Sequence, residues 1–459
     1  MKIVFAALPF MRFTNLTRFN EIGANCYHLE AGGRRLLLDA GMHPKLEGRE
    51  ALPDLGAIDG DLDAVLISHA HHDHVGALPV AHRLFPGAEI VLTEMTAALG
   101  DAMLHNSVNV MCSQREELGI TDYPLFTHRE VETCVARMRP LRVGRELDLG
   151  GATVEFFDAG HIPGSAGMLV RSGGRSLFYT GDVQFEDQNF CRAADFPRAP
   201  GIDVLVMETT RGAAARAEQY TRAAETERFA AVVRRTFQRG GAVLVPVFAL
   251  GKTQEFLLLL HGCKERGLLP ADTPVHLGGL GTKLTQTIDR FTGPLRRQAP
   301  GFELLRDSGV HLPDRKHRGA IQAKPGHLYA LSSGMMTENT TSNTFARTFL
   351  DERRNSICFV GYADPESPGG RILAARPDDP VVLDHRHAPV TLRAEVARFD
   401  FSGHATRDAL RAFARDLRPR KILLVHGEPD ALDWFRQALA ADLPATEIIV
   451  PAPGVGIDL

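Results

Sequence analysis

Short apolar runs recur along the first 210 residues of the chain. Each spans five to seven residues and ends near a polar residue or a glycine. Runs of this length with such boundaries are typical of buried strands. The predicted strands are residues 34–39, 62–68, 88–93, 176–180 and 202–207.

Polar side chains stand at the carboxyl ends of four of these strands. Asp39 closes the first, a histidine cluster follows the second from His69, Asp182 follows the fourth and Glu208 follows the fifth. The carboxyl ends of strands are where α/β sheets place their sites. The pattern therefore predicts an α/β protein whose chemistry lies along one sheet edge.

The pattern changes after Thr209 and changes back near residue 390. A second α/β unit is indicated by helices over 223–239 and 252–266 and a strand over 241–248. The first pattern returns with strands over 389–392 and 421–425 and helices over 407–417 and 430–439. We therefore expect three segments, namely a first domain over 1–209, an inserted domain over 210–390, and the return of the first domain over 391–459.

Composition predicts a globular protein away from membranes. The chain has 459 residues, 44% of them hydrophobic and 24% charged, which allows a sizeable core in two or three domains. No run approaches the roughly 18–20 apolar residues of a membrane helix, and the opening MKIVFAALPFMRF lacks the cleavage region of a signal peptide. We expect a cytoplasmic protein without a membrane partner.

Net charge and cysteine spacing further narrow the classes of protein to which the chain can belong. The formal net charge is −4, so a polyanion would have to bind in a local cleft rather than by overall attraction. The cysteines form no CxxC pair, which argues against a zinc ribbon or a disulfide framework. We expect buried thiols at Cys26, Cys112, Cys134, Cys191, Cys263 and Cys358.

The densest chemistry in the chain is the segment SHAHHDHVG directly after the second predicted strand. It places His69, His71, His72, Asp73 and His74 within six positions. Imidazole and carboxylate donors suit zinc, and a site that keeps a position open for water is catalytic rather than structural. Three further residues extend the candidate site: Asp39 in LLLDAG, His161 in DAGHIPGSAG and Asp182 in FYTGD.

Taken in order, these motifs resemble the metallo-β-lactamase superfamily. The resemblance implies a four-layer αβ/βα sandwich that holds two zinc ions. The ligands it implies are His69, His71 and His161 for the first zinc, Asp73 and His74 for the second, and Asp182 as a bridge between both. Asp39 would orient the ligands without touching metal, as outer carboxylates do. His72 stands at a variable position of the motif and receives no ligand role.

Past residue 208 the chain resembles the β-CASP branch of this superfamily, whose members process RNA and DNA. The matching pieces are METTRG (207–212), VLVPVFALGKTQE (243–255), SSGMM (332–336), FVGYADPESPGGRIL (359–373), FSGHAT (401–406) and LLVHGE (423–428). The fold then gains an inserted α/β β-CASP domain. The implied activity is hydrolysis of phosphodiester bonds in single-stranded RNA by a two-metal mechanism.

The same resemblance assigns further roles. Glu208 and His404 would form an acid/base relay, Asp73 would join them among the catalytic residues, and His426 would complete the second zinc site. The residues themselves suggest a phosphate contact, because Ser332, Ser333 and Gly334 form a small-residue loop that can present backbone N–H groups.

Two departures from the branch leave substrate preference open. Family members commonly carry an acidic residue where this chain has Thr406, and glycines and a proline where it has TENTTSN (337–343). The sequence therefore does not decide whether the substrate is RNA or DNA. It also leaves open whether cutting is internal or starts from a 5′ end. A homodimer and a protein partner that supplies selectivity are likewise left open.

Two other classes are alternatives to a ribonuclease. A small-molecule ester, thioester or lactam hydrolase would use the metals without needing Glu208, His404 or the insertion. A noncatalytic RNA-binding subunit would be expected to lose metal ligands, and here the set is complete.

Overall fold

The computed structural model describes residues 11–312 and 322–459. The expectation that the chain starts without a leader concerns chiefly residues 1–10, which lie outside this range. Among the described helices, none is long and apolar enough to span a lipid bilayer.

Twenty-two strands are described. In chain order they are β1 (Met11–Asn15), β2 (Tyr27–Ala31), β3 (Arg34–Leu38), β4 (Ala64–Leu66), β5 (Glu89–Leu92), β6 (Met138–Pro140), β7 (Glu146–Asp148), β8 (Thr153–Asp158), β9 (Ala166–Ser172), β10 (Arg175–Tyr179), β11 (Val204–Glu208), β12 (Val243–Pro246), β13 (Val275–Gly278), β14 (Val310–His311), β15 (Leu328–Leu331), β16 (Ser356–Phe359), β17 (Pro380–Val381), β18 (Val390–Thr391), β19 (Glu395–Arg398), β20 (Lys421–Val425), β21 (Glu447–Ile449) and β22 (Gly456–Asp458).

Twelve α-helices are described alongside two short 3-10 helices, Gly48–Ala51 and Leu55–Ala57. The α-helices are α1 (His72–Val75), α2 (Leu78–Leu84), α3 (Glu94–Leu118), α4 (His128–Val135), α5 (Arg222–Gln238), α6 (Lys252–Glu265), α7 (Leu280–Arg290), α8 (Leu304–Asp307), α9 (Thr341–Ala346), α10 (Pro368–Ala374), α11 (Arg407–Leu417) and α12 (Pro429–Asp442).

Two seven-stranded sheets pack face to face. Their strand orders are β22-β1-β2-β3-β4-β5-β6 and β21-β20-β11-β10-β9-β8-β7. Side chains from both sheets, such as Phe13 and Leu36 from one and Phe156 and Val206 from the other, form one buried cluster between them. Because side chains alternate along each strand, the other apolar side chains lie on the outer faces of the two sheets. A second layer must bury them there.

Helices supply that cover on both outer faces. Helices α2, α3 and α4 pack on the first sheet, and α11 and α12 pack on the second. The longest, α3, begins after Thr93, whose side chain accepts a hydrogen bond from Thr96 N, and it ends at Gly119 with a left-handed φ of 70°. The result is the predicted four-layer αβ/βα sandwich.

A third sheet belongs to the segment between β11 and β20. It has six strands in the order β14-β13-β15-β12-β16-β19. One buried cluster covers each of its faces, with α5 and α6 on one and α9 and α10 on the other. The fold is therefore the sandwich with an inserted α/β domain, as predicted.

The predicted strands and helices named above are all present, and two details differ from expectation. Residues 389–392, expected to begin the return to the first domain, contain β18, which pairs with β17 in a separate two-stranded sheet. Strand β19 lies beyond residue 390, the expected end of the insertion, yet it pairs with β16 in the third sheet. Local apolar pattern identified the strands but not their partners.

Five of the six cysteines are buried thiols, as predicted. Cys112 is exposed on α3 and corrects that expectation. It directly follows Met111, the last buried residue of α3, and lies in the final turns of the helix, where the side chains are mostly exposed.

Candidate metal centre and the residues beside it

Neighbouring parallel strands bring the candidate residues to one edge of the sandwich. Strands β10, β11 and β20 run parallel and adjacent. Asp182 comes shortly after β10, Glu208 ends β11 and His426 follows β20. Parallel strands β3 and β4 of the facing sheet lead to Asp39 and to the loop that starts the histidine cluster.

Three imidazoles and one carboxylate converge at a first site. Nδ1 of His71 lies 3.1 Å from Nε2 of His69 and 3.2 Å from Nε2 of His161. Oδ2 of Asp182 lies 3.6 Å from both of those Nε2 atoms. Tetrahedral coordination with Zn–N bonds of about 2.0 Å places neighbouring donors roughly 3.3 Å apart. These four atoms therefore fit the shell of one tetrahedral ion.

A second group of donors lies on the other side of Asp182. Nε2 of His426 is 3.2 Å from Oδ2 of Asp73, which is 3.8 Å from Nε2 of His74. Oδ1 of Asp182 is 3.5 Å from His74 Nε2 and 3.2 Å from His426 Nδ1. Asp182 thus turns one oxygen toward each group.

One oxygen of Asp182 lacks the partner that its burial demands. Oδ1 is buried and accepts no hydrogen bond from any described residue. An unsatisfied buried acceptor is costly, and a metal ion would satisfy it. Burial alone would raise the pKa of this carboxyl group, but His426 and His74 outweigh burial and hold its pKa well below the ordinary value. The donor chemistry of both groups therefore fits divalent metal.

The histidines differ in protonation between the two groups. Burial, the largest effect, lowers the pKa of His69 and His161 well below the ordinary value, so they are neutral imidazoles, the form that binds metal. Burial would also lower the pKa of His74 and His426, but the Asp182 carboxylate is the main reason that both are raised. Metal binding at the second group must displace protons.

Asp39 lies behind the second group. Its Oδ2 accepts hydrogen bonds from His74 Nδ1, Ser68 Oγ and Tyr179 OH, each at 2.7 Å, and its Oδ1 accepts one from Ser68 N at 2.7 Å. The carboxylate is fully buried. This contact fixes which nitrogen of His74 faces Asp182, the effect that outer carboxylates have on metal-binding histidines.

Asp39→Asn is expected to weaken metal binding at the second group about tenfold to a hundredfold, the usual cost of losing such a carboxylate. Asparagine is the suitable replacement because Asp39 has a left-handed φ of 60°, which asparagine tolerates and alanine does not. Zinc affinity would be measured by competition with a chromogenic chelator. Tyr179→Phe, which removes one donor to Asp39 without touching His74, is the control, and equal affinity in Asp39→Asn and wild type would contradict the assignment.

Glu208 and His404 form a pair beside Asp182. Both oxygens of Glu208 lie 3.2 Å from Nδ1 of His404, and Oε1 also accepts a hydrogen bond from Val183 N at 2.8 Å. Nδ1 of His404 is 4.0 Å from Oδ2 of Asp182. Glu208 is buried, whereas the His404 side chain is 23% exposed and so faces the cleft.

Other predicted residues lie further out. His72 points away from the donors, with Nδ1 3.3 Å from Ser107 Oγ. The Ser332–Gly334 loop follows β15 in the third sheet. Gly334 packs so closely on Phe248 that a Cβ there would lie 2.6 Å from its ring. The loop approaches the centre through the Phe248 segment, because the Leu250 carbonyl is 3.4 Å from His71 Nε2.

Sequence reasoning missed several residues at the centre. Nδ2 of Asn25 lies 3.1 Å from His74 Nε2 and also donates to the Asp73 carbonyl, so Asn25 lies directly against two residues of the second group. Tyr179 holds Asp39, and Gln184 and Gln188 hold nearby loops. Only nearness to the motifs in the chain could have suggested them, because asparagine, tyrosine and glutamine at these positions carry no metal or acid/base signature.

Three family models match the chain. Residues 20–216 match the metallo-beta-lactamase superfamily, residues 253–372 the Beta-Casp domain, and residues 389–451 the Zn-dependent metallo-hydrolase RNA specificity domain. Together with the sandwich fold and the convergent histidine and aspartate donors, these matches define a metal-dependent hydrolase.

Curated relatives are similar along nearly the whole chain. Ribonuclease TTHA0252 of Thermus thermophilus is 31% identical over 97% of this chain and 100% of its own length. Cleavage and polyadenylation specificity factor subunit 3 of Dictyostelium discoideum is 26% identical over 98% of this chain and 57% of its own length. Probable RNase MJ4 of Methanocaldococcus jannaschii is 26% identical over 89% of this chain and 91% of its own length. The chain belongs to the β-CASP branch of the metallo-β-lactamase superfamily.

A solved structure shares the fold at low sequence identity. The crystal structure of a protein of unknown function from Enterococcus faecalis V583 matches with a TM-score of 0.57 and 15% identity, over 98% of this chain and 100% of that one. At this identity the match supports the fold alone.

Proposed function

We propose that this protein is a zinc-dependent ribonuclease that hydrolyses phosphodiester bonds of single-stranded RNA. The observation that carries the proposal is the position of Asp182 between two donor groups, with the Glu208–His404 pair beside it. The names of the relatives, two of which are ribonucleases, favour RNA as the substrate.

Two zinc ions are proposed per chain, because histidine and carboxylate donors suit zinc and the geometry offers two shells. The proposed ligands are His69, His71, His161 and Asp182 in the first shell and Asp73, His74 and His426 in the second. Asp182 is proposed for the second shell as well, because its Oδ1 lies 3.5 Å from His74 Nε2. When bound, such ions supply Lewis acidity that activates water and neutralises charge on a phosphate.

The proposed acid is His404. Glu208 accepts the Nδ1 proton of His404 and thereby turns Nε2 toward the cleft, where it can donate a proton to the leaving oxygen. Asp73 is the proposed third catalytic residue, because its Oδ2 lies next to His426 and its side chain is partly exposed, unlike that of Asp182.

RNA is proposed to bind between the sandwich and the inserted domain, which was predicted to span 210–390 and which we extend to β19 because that strand pairs with β16. The Ser332–Gly334 loop ends a strand of the inserted domain and lies on Phe248, on the side of that domain that contacts His71 through Leu250. Its backbone N–H groups are the proposed phosphate contacts. A local contact of this kind suits a chain whose net charge is −4.

The test is cleavage of a 5′-labelled single-stranded RNA by zinc-loaded protein. We expect cleavage that a chelator abolishes and added zinc restores, with about two zinc ions per chain by elemental analysis. Internal products would indicate an endonuclease, and a single short labelled product would indicate cutting from the 5′ end. A single-stranded DNA and a duplex RNA of the same sequence are the matched substrates.

Three outcomes would overturn the proposal. Thioester or lactone turnover without RNA cleavage would favour a small-molecule hydrolase. RNA binding without cleavage by zinc-replete protein would favour a noncatalytic subunit. If single-stranded DNA were cleaved as fast as RNA, the proposed activity would be that of a general single-strand nuclease and not of a ribonuclease.

A further inference from the structure

The loop that carries His404 is held by side chains rather than by a helix or a strand. Five consecutive carbonyls, from Asp400 to His404, accept side-chain hydrogen bonds. The donors are Tyr220 OH to Asp400 O at 2.6 Å, Lys252 Nζ to Phe401 O, Gln184 Nε2 to Ser402 O at 3.2 Å, His161 Nδ1 to Gly403 O at 2.8 Å, and Gln184 Nε2 to His404 O at 3.0 Å. The position of His404 therefore depends on these donors.

Gln184 serves two of the five carbonyls, including that of His404 itself. Its side chain is 1% exposed. Its amide oxygen accepts a hydrogen bond from Glu186 N at 3.1 Å, which fixes the amide so that nitrogen faces Ser402 and His404. No other orientation of the amide satisfies all three partners.

The segment around Gln184 connects the metal centre to the His404 loop. Gln184 comes two residues after Asp182, and its own backbone N donates to Ala159 O at 2.9 Å. Between them, Val183 donates to Glu208 Oε1 and accepts from Ala405 N at 2.7 Å. Asp182 and His404 are thus connected through the hydrogen bonds of Val183 and Gln184.

A second glutamine repeats this arrangement four residues later. Gln188 is 4% exposed, and its Nε2 donates to Gly160 O at 2.7 Å and to His161 O at 2.9 Å. It therefore holds the loop that carries His161. The two glutamines clamp two different loops against the segment that begins at Asp182.

We propose that Gln184 and Gln188 are positioning residues with separate tasks. Gln184 sets His404 for proton donation, a role that rests on the proposed ribonuclease function. Gln188 sets His161 for metal binding. Neither side chain touches substrate or metal, so their effects should differ in kind and not only in size.

Gln184→Met keeps the length of the side chain and removes both donors. We expect kcat for RNA to fall about tenfold to a hundredfold, the scale of a misplaced catalytic group, while KM and zinc content stay at wild-type values. The loss should shrink on bis(p-nitrophenyl) phosphate, whose leaving group needs no proton. Hydrogen exchange of residues 399–406 should become faster in zinc-free and zinc-loaded protein alike, because Ser402 O and His404 O both lose the amide donor of Gln184 and only the longer contact of Ser402 Oγ with His404 O, at 3.4 Å, is left.

Gln188→Met should give the opposite pattern. We expect zinc affinity to fall about tenfold, by analogy with other residues that orient metal ligands, and zinc-saturated protein to cleave RNA near the wild-type rate. Gln298→Met is the control, because that glutamine is exposed and its side chain bonds Cys191 O, at 3.3 Å, and Asp187 rather than a loop that carries His161 or His404. It should change neither zinc affinity nor either rate.

Wild-type turnover and exchange in Gln184→Met would overturn the proposal for Gln184. So would equal losses on RNA and on bis(p-nitrophenyl) phosphate, since they would indicate a general disturbance of the centre. Wild-type zinc affinity in Gln188→Met would overturn the proposal for Gln188. If the wild-type protein does not cleave RNA, the ribonuclease function fails instead, and exchange and zinc affinity still decide whether the two glutamines position these loops.

Discussion

Asp182→Ala is expected to abolish RNA cleavage, with a fall of about a thousandfold or more, and to reduce bound zinc from two ions to no more than one per chain. The variant removes the one side chain that faces both donor groups. Loss of metal-derived charge stabilisation costs several kcal/mol, and each 1.4 kcal/mol is about tenfold in rate. Single-turnover cleavage and elemental analysis would measure the two effects.

The fold of Asp182→Ala should survive, because the cores between and outside the sheets do not include this side chain. Circular dichroism would check this. Asp195→Ala is the matched control, since that carboxylate is 75% exposed and its ion pair with Arg296 spans 3.8 Å. Wild-type cleavage by Asp182→Ala would show that the centre has been misassigned.

His404→Ala is expected to keep both zinc ions and yet slow RNA cleavage about a hundredfold or more, the usual size of a general-acid effect. Nδ1 of His404 lies 3.2 Å from Glu208 but 4.0 Å from Asp182, which suits a proton donor better than a ligand. Rates at saturating RNA and zinc content would be measured together.

Loss of zinc in His404→Ala would mean that His404 is a ligand and not the acid. His385→Ala is the control, because that histidine is 54% exposed and pairs with Glu338. Glu208→Gln supplies a second check. If Glu208 acts through His404, adding Glu208→Gln to His404→Ala should cost little more than His404→Ala alone.

The candidate site was predictable from sequence wherever a residue follows a recognisable strand. Asp39, Asp182, Glu208 and His426 each stand at the end of an apolar run. Parallel pairing in one sheet brings the last three together, and Asp39 comes from the facing sheet. His161 and His404 were harder, because they lie in loops whose positions depend on distant hydrogen bonds. Only the resemblance of their motifs to a known branch pointed to them.

The pairing of some strands and the side chains that hold the loops of the site were not predictable in this way. The short strand at 390–391 has the pattern of an ordinary edge strand. Nothing in its residues indicates that it pairs with β17 rather than with a strand of the larger sheets. In the sequence, Gln184 and Gln188 are ordinary polar residues that follow the Gly181–Asp182 turn. Their importance appears only once the chain brings residues 160, 161, 402 and 404 to their amides. Such long-range contacts leave no local pattern.

Strand β20 comes late in the chain but lies between β11 and β21 in the second sheet, and this order determines when during synthesis the site can be completed. A ribosome delivers the amino end first, so His69, His71, His74, His161 and Asp182 are made long before the insertion and the segment that follows it. His404 and His426 arrive only with that last stretch. On the proposed assignment, a nascent chain cannot complete the second group of donors until β20 has joined its sheet and brought His426 to Asp73.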